Sequence, residues 1–269
     1  MHSSQSTILA VATQKGGTGK STTAVNLAHA FALSGKKILV VDMDPQGNAS
    51  NSLGFKTKDQ GISIADLIWD KSVPVQSAIN KRTGMDVIIA NTNLARVERG
   101  MLTMVNSELR LAQRLREVRS AYDYIIIDST PSYGPLLNSV LNVADQLVVP
   151  VDSNYFALMG IQKLLGEVEE IRITNPAINV LGYLMTMVDR TIICSQTTEA
   201  VIQNFGAATF DTKIRRSVAF REAPTLGQTV FEYAPGSAAA GDYSKLSVEI
   251  EGRIRALRAQ APSTIGGAL

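Results

Sequence analysis

Cysteine is almost missing from this chain. Cys194 stands alone, so no internal disulfide can form and no C-x-x-C pair exists for zinc or an iron–sulfur cluster. Histidine is as scarce, with only His2 and His29, too few for a histidine-based metal centre. No apolar run approaches the roughly 20 residues of a membrane-spanning helix. The stretch Met1–Ser6 is short and polar and lacks the apolar core of a secretory signal. Charge of one sign is lacking too: the net charge is +2, so affinity for a polyanion would have to come from a local patch. Internal repeats and low-complexity segments are absent. These absences point to a soluble cytoplasmic protein.

What is present suits one sizeable core. At 269 residues, 45% of them hydrophobic and 19% charged, one large α/β domain over residues 1–259 is expected rather than two small ones. Residues 260–269, rich in small residues, Pro and Gly, are expected to form a disordered tail. Short β-branched runs alternate with helical stretches. Strands are predicted at Ile8–Ala12, Ile38–Asp42, Asp86–Ala90, Tyr124–Asp128, Gln146–Val151 and Val180–Met187. Helices are predicted at Ser21–Leu33, Ile64–Ile68, Ser107–Ser120, Leu136–Val143, Ala157–Ile173, Ser195–Asn204 and about Tyr243–Arg258. The strands are continuously apolar rather than alternating, as in parallel sheets covered on both faces. The order predicts an α/β fold: a doubly wound, mostly parallel sheet flanked by helices on both faces.

Directly behind the first strand stands Lys15-Gly16-Gly17-Thr18-Gly19-Lys20-Ser21. The phosphate-loop spacing G-x-x-x-x-G-K-[ST] wants a glycine where this chain has Gln14, and an additional lysine, Lys15, precedes the glycines. The oxygens of a triphosphate need many backbone N–H donors. Gly16, Gly17 and Gly19 allow close approach and positive φ, and the helix that follows offers its N-terminal N–H groups and partial positive charge. Lys20 is placed to bridge the β- and γ-phosphates, Ser21 to ligate Mg²⁺, and Thr22 to line the loop. A glycine-rich turn with no ligand is the bland alternative. Strand, glycines, Lys-Ser and helix in this order favour the nucleotide site.

Ligands in doubly wound sheets bind beyond the C-terminal strand ends. Two further acidic segments fall there. The second strand ends in Asp42-Met43-Asp44-Pro45-Gln46-Gly47-Asn48. Asp44 is expected to orient or deprotonate an attacking water and Asp42 to support the metal shell; alternatively, Asp44 simply opens a turn before Pro45. Asp128, closing Tyr124-Ile125-Ile126-Ile127-Asp128, has the form of a Walker-B carboxylate that holds Mg²⁺ directly or through water. Ser129-Thr130-Pro131 makes a loop able to sense the γ-phosphate.

K-G-G-x-G-K-S at 15–21, D-x-D-P-Q-G-N at 42–48 and I-I-I-D-x-x-P at 125–131 together resemble the ParA/Soj family of partition ATPases, within the wider deviant-Walker group that also contains MinD. The resemblance runs from about Ile8 to Leu257, including Phe156-Ala157-Leu158 and Arg221-Glu222-Ala223-Pro224. It implies a P-loop NTPase fold of the deviant Walker type, with ATP and Mg²⁺ as cofactors. Lys15 matches the signature lysine, which reaches across an ATP-sandwich homodimer to the partner's phosphates. Asp44 matches the catalytic carboxylate and Asp128 the Walker-B aspartate. Met187 and Pro224 fall where relatives line the adenine pocket.

The resemblance also implies partners. ATP-bound dimers of relatives bind DNA without sequence preference through basic residues of the C-terminal half, here Arg190, Lys213, Arg215, Arg216 and Arg221. Solvated surface charge is the alternative for those five. Slow hydrolysis, stimulated by a ParB-like or adaptor protein, releases the dimer, and the implied location is cytoplasmic and nucleoid-associated. Low intrinsic activity fits the lack of an extra arginine supplied in cis to the phosphates. The sequence departs from the pattern where relatives carry a second arginine, at Ala219, and where they often carry glutamates, at Asn154 and Met159.

The alternative is a MinD-like membrane-cycling ATPase, which needs a C-terminal amphipathic helix with bulky apolar residues. Beyond Arg258 this chain has no bulky apolar face. The apolar residues before it, Leu246, Val248, Ile250, Ile254 and Leu257, are expected to dock on their own domain. The few residues ahead of Ile8 leave no room for a helix-turn-helix, so operator binding is not expected.

Overall fold

The computed structural model describes residues 6–56, 61–153 and 157–260. Seven strands form one sheet in the order β3-β4-β2-β5-β1-β6-β7. They are β1 (Thr7–Val11), β2 (Ile38–Met43), β3 (Ile79–Arg82), β4 (Met85–Ile88), β5 (Tyr124–Ser129), β6 (Gln146–Asp152) and β7 (Asn179–Thr186). All neighbouring pairs are parallel except β3, which runs antiparallel to β4 at the edge. The predicted doubly wound α/β architecture is the one observed.

The continuous apolar runs have a direct cause. Ile8 and Ala10 of β1, with Ile125 and Ile127 of β5, belong to one core layer; Leu9, Val11 and Ile126 belong to the layer on the other face. Successive side chains point to opposite faces, and helices cover both, so every position of these strands is buried. The helices of the first layer include α3 (Ile64–Trp69), α4 (Asn93–Met101), α5 (Arg110–Arg116), α6 (Pro135–Val143) and α7 (Ala157–Ile171). The second layer is built mainly from α1 (Lys20–Leu33) and α11 (Ala238–Gln260). Between them in the chain lie α2 (Asn48–Ser52), α8 (Ile192–Phe205), α9 (Ala219–Glu222) and α10 (Val230–Tyr233).

Several sequence expectations are corrected. The helix predicted over Ser107–Ser120 breaks into a 3₁₀ turn at Ser107–Leu109, α5, and a second 3₁₀ turn at Arg119–Ala121. In the last helix, Leu246, Ile250 and Ile254 are buried, whereas Val248 is 71% and Leu257 38% exposed, so those two do not dock on the domain. Gln260 closes α11 and is not part of a tail; the rest of the predicted tail lies outside the described residues, as do Asn154 and Phe156. Among the described residues no helix is long and apolar enough to cross a membrane.

Candidate functional site: a nucleotide cradle at the strand ends

The first loop leaves β1 and turns into α1 through Gly19, which sits in the left-handed region (φ 82°) and precedes the first helical residue, Lys20. Gly17 is left-handed too, at φ 77°. A side chain at either position would be strained. Gly16, expected to share that geometry, does not; its surroundings are simply open. Thr186 fastens the loop from behind, with its hydroxyl 2.9 Å from the Thr18 carbonyl and 3.2 Å from that of Val151 on β6. Lys20 is buried and its Nζ donates to the Lys15 carbonyl at 3.1 Å. Burial lowers the Lys20 pKa, while the charges of Asp128 and Asp44 oppose that shift.

Strand register brings the acids together. Asp42 on β2 pairs directly with Asp128 on β5, and Val11 of β1 pairs with Asp128 on its other side. Both aspartates are fully buried. Burial, then the ionised Asp42 and Asp44, push the Asp128 carboxyl well above its ordinary range; the Ser21 hydroxyl and Lys20 offset only part of this. Neither Asp128 oxygen completes a hydrogen bond. With only the Ser21 hydroxyl beside it, such a buried carboxylate costs on the order of several kcal/mol unless it is neutralised or meets a cation. Asp128 therefore has the free oxygens and the electrostatic need of a cation ligand.

Asp42 is different. Its Oδ1 accepts from the Asp44 N–H at 3.0 Å, and its Oδ2 accepts from both the N–H and the hydroxyl of Ser50, at 2.8 and 2.7 Å. Burial raises its pKa to about 6 against those bonds. Ser50 also accepts from the Ala90 N–H at 3.0 Å. Asp42 thus anchors the loop that carries Asp44. The turn reading of Asp44 is the one its hydrogen bonds describe. Its Oδ1 accepts from the Gln46 N–H at 2.9 Å and its carbonyl accepts from the Gly47 N–H at 2.8 Å, which makes the turn. Its Oδ2 is left for chemistry. Burial raises the Asp44 pKa, opposed by the Gln46 bond and by Lys20.

The residue expected to cross to a second subunit is held at home. Lys15 Nζ lies 2.5 Å from Asp152 Oδ2, at the C-terminal end of β6. In front of this pair opens a cavity of about 670 Å³ walled by Gln14, Tyr133, Met159, Gln162 and Lys163. The amide of Gln14, at the position where a standard phosphate loop has glycine, is buried and unpaired.

A second cavity of about 370 Å³ is lined by Thr22, Met187, Arg216, Ser217, Val218, Phe220 and Arg221. Met187 takes an unusual left-handed conformation (φ 54°) here, which costs a non-glycine residue energy. Pro224 lines an adjoining crevice that shares Thr22 and Phe220. The structure thus brings both expected adenine residues beside Phe220, which the sequence reading passed over.

The basic residues are not equivalent. Arg215 is bound to the buried Asp242 through Nε (2.9 Å) and Nη2 (2.6 Å) and also reaches the Ala238 carbonyl. Its charge is already matched. Arg216 makes only a loose pair with Asp189 at 3.6 Å, and Arg190, Lys213 and Arg221 are exposed. Ala219, where relatives carry arginine, is buried. Other residues unread in the sequence are Asp152, Ser50 and Glu98. The Glu98 pKa is raised by burial and then by the charge of Asp44, and its Oε1 packs against Gly134.

The family profile described as "AAA domain" matches residues 6–180. The sporulation initiation inhibitor protein Soj of Bacillus subtilis is 38% identical over 247 residues, covering 90% of this chain and 97% of that protein. The chain belongs to the ParA/Soj family of partition ATPases. As a member it is an ATPase. The chromosome partitioning protein ParA of Caulobacter vibrioides is 35% identical over 94% of this chain and 97% of its own length. Among solved structures, a cobyrinic acid a,c-diamide synthase from Mycobacterium smegmatis, with bound ATP analogue and magnesium, superposes with a TM-score of 0.81 at 27% identity, covering 94% of this chain and 96% of that one.

Proposed function

We propose that this ParA/Soj-type ATPase forms an ATP-sandwich homodimer, binds DNA without sequence preference, and is released by slow hydrolysis, so segregating a chromosome or plasmid or positioning another cargo. The observation that carries the reading is the shared address of three groups: the Lys15–Ser21 loop, the donor-poor Asp128 and the loop-bound Asp44 all lie at the C-terminal ends of β1, β5 and β2.

ATP and Mg²⁺ are its cofactors. Ser21 and Asp128 would hold Mg²⁺, with Asp42 behind them; when bound, it neutralises charge on the phosphate oxygens. The N–H groups around Gly16, Gly17 and Gly19 and the start of α1 orient the phosphates. Lys20 neutralises them. Asp44 Oδ2 is free to take a proton from, or orient, the attacking water. Met187, Phe220 and Pro224 flank the base.

Lys15 serves the partner subunit's phosphates, and the open cavity before it leaves room for that subunit. Arg190, Lys213, Arg216 and Arg221 form the DNA-facing patch. A ParB-like or adaptor protein stimulates turnover, and the location is cytoplasmic and nucleoid-associated. A DNA titration with ATP, ADP and no nucleotide, run beside anionic liposomes, tests the reading. ATP-specific DNA binding is expected; liposome binding without DNA binding would favour the membrane-cycling alternative.

A further inference from the structure

We propose that Arg82, on the edge strand β3, is a positioning residue that couples the base pocket to the carboxylate loop. The proposal rests on the assignment of Met187, Phe220 and Pro224 to the base. One guanidinium joins three separate segments. Its Nε donates to the Leu53 carbonyl at 3.2 Å, directly after α2, the helix that continues the Asp42–Asn48 loop. Its Nη2 donates to the Gly227 carbonyl at 3.1 Å, at the end of the turn that carries Pro224. The same nitrogen meets Glu232 Oε2 of α10 at 2.7 Å. The Arg82 side chain is only 13% exposed, so its two carbonyl contacts are partly shielded from water, while the Glu232 contact is open to it.

The groups that Arg82 touches are themselves fixed. Glu232 accepts from the Thr229 N–H at 2.8 Å and the Thr229 hydroxyl at 3.0 Å, closing the capping box of α10. The next residue, Val230, donates its N–H to Asn26 Oδ1 on α1 at 2.9 Å. Backbones meet directly beneath the guanidinium: a Cβ on Gly227 would come within 2.6 Å of the Gly54 Cα. The turn after Pro224 is thereby sealed against the segment after α2. A movement of the carboxylate loop that shifted Leu53 would strain the Gly227 contact, and the reverse.

A planar fork with several fixed donors can make this junction; an ammonium cannot reach both carbonyls and Glu232 with the same geometry. The expected consequence is a preorganised base pocket, whose loss weakens binding of the base but not of the phosphates. The test compares Arg82→Met and Arg82→Lys with the unaltered chain, using Mg²⁺-ATP and Mg²⁺-tripolyphosphate as probes. Both variants should weaken ATP about tenfold, roughly 1.4 kcal/mol, and leave tripolyphosphate affinity unchanged. Equal weakening of both probes would mean a general loss of structure and overturn the proposal. So would full recovery of ATP affinity in Arg82→Lys, since charge alone would then suffice. If Arg82→Met does not fold, Arg82→Lys carries the same comparison. Pro224→Gly separates the two levels: if it leaves ATP affinity untouched, the base-pocket assignment fails, whereas a Pro224 effect without an Arg82 effect removes only Arg82.

Discussion

The ammonium of Lys15 and the carboxylate of Asp152 face each other at 2.5 Å across the loop and the end of β6. A lysine proposed to serve a second subunit is thus engaged within its own. Both side chains keep partial access to water, so the pair holds on the order of 1 kcal/mol or less and can exchange for a phosphate partner. Asp152→Asn should free Lys15 and shift ATP-dependent dimerisation to lower protein concentration. Lys15→Ala should bind nucleotide yet stay monomeric with ATP. Light scattering during size exclusion reads both; a normal ATP dimer of Lys15→Ala would remove the cross-subunit role.

Lys20 is the group proposed to carry phosphate affinity. Its amine is buried, faces the loop carbonyl of Lys15, and senses both Asp44 and Asp128. Lys20→Ala should abolish ATP binding, because it removes the charge that offsets the phosphates while the aspartates remain. Calorimetric titration that returned micromolar affinity would refute the phosphate-loop assignment.

Asp44 offers a cleaner separation of binding from chemistry. One of its oxygens is committed to the Gln46 N–H, and Asp42, not Asp44, anchors the loop to Ser50. Asp44→Ala should therefore keep the loop and bind ATP, but lose hydrolysis by about a hundredfold or more, the usual range for a positioned acid or base. The expected species is a persistent DNA-bound dimer. Unchanged phosphate release would take Asp44 out of the mechanism.

The legibility of this chain follows burial. Strands covered on both faces wrote themselves as unbroken apolar runs, and all six expected strands overlap observed ones. Strand β3, Ile79-Asn80-Lys81-Arg82, was missed because an edge strand is half solvated and carries polar residues. Helix α2, Asn48-Ala49-Ser50-Asn51-Ser52, has no apolar period; the Asp42–Ser50 bonds tie it to the end of β2. Helix α4 did carry a signal, Leu94, Val97 and Met101 on one face, and could have been read. In the site, residue types at fixed spacing pointed to the loop and the acids. Partners chosen by tertiary contact, such as Asp152, Phe220 and Arg82, left no local pattern to find.

The same contrast sorts the arginines. Each true phosphate contact should lower the salt slope of DNA binding by ~0.9 when removed. Arg216→Ala and Arg221→Ala are expected to do so. Arg215→Ala is expected to leave the slope unchanged and instead lower the melting temperature, because Asp242 loses the guanidinium that satisfies both of its oxygens. A reduced slope for Arg215→Ala would mean that the Asp242 pair opens on DNA.

His29 gives a pH test away from the phosphate loop. Its Nδ1 pairs with the Thr229 hydroxyl at 2.8 Å and its ring stacks on Phe231 at 5.1 Å between centroids. Burial lowers its pKa below the ordinary 6.5; Glu232 opposes the shift and Arg82 adds to it. A base with a depressed folded pKa stabilises the fold above its unfolded pKa and loses that stability as pH falls through the folded value. The contribution is thus complete above about 6.5, the unperturbed histidine value, and declines below it. Asp42, whose pKa is raised to about 6, acts in the opposite sense, since protonation relieves its buried charge. The two are separated by difference: urea midpoints of the unaltered chain and His29→Gln, measured from pH 7.5 to 5, should converge as pH falls. A constant gap would show that His29 titrates alike in the folded and unfolded chains and would remove the burial shift.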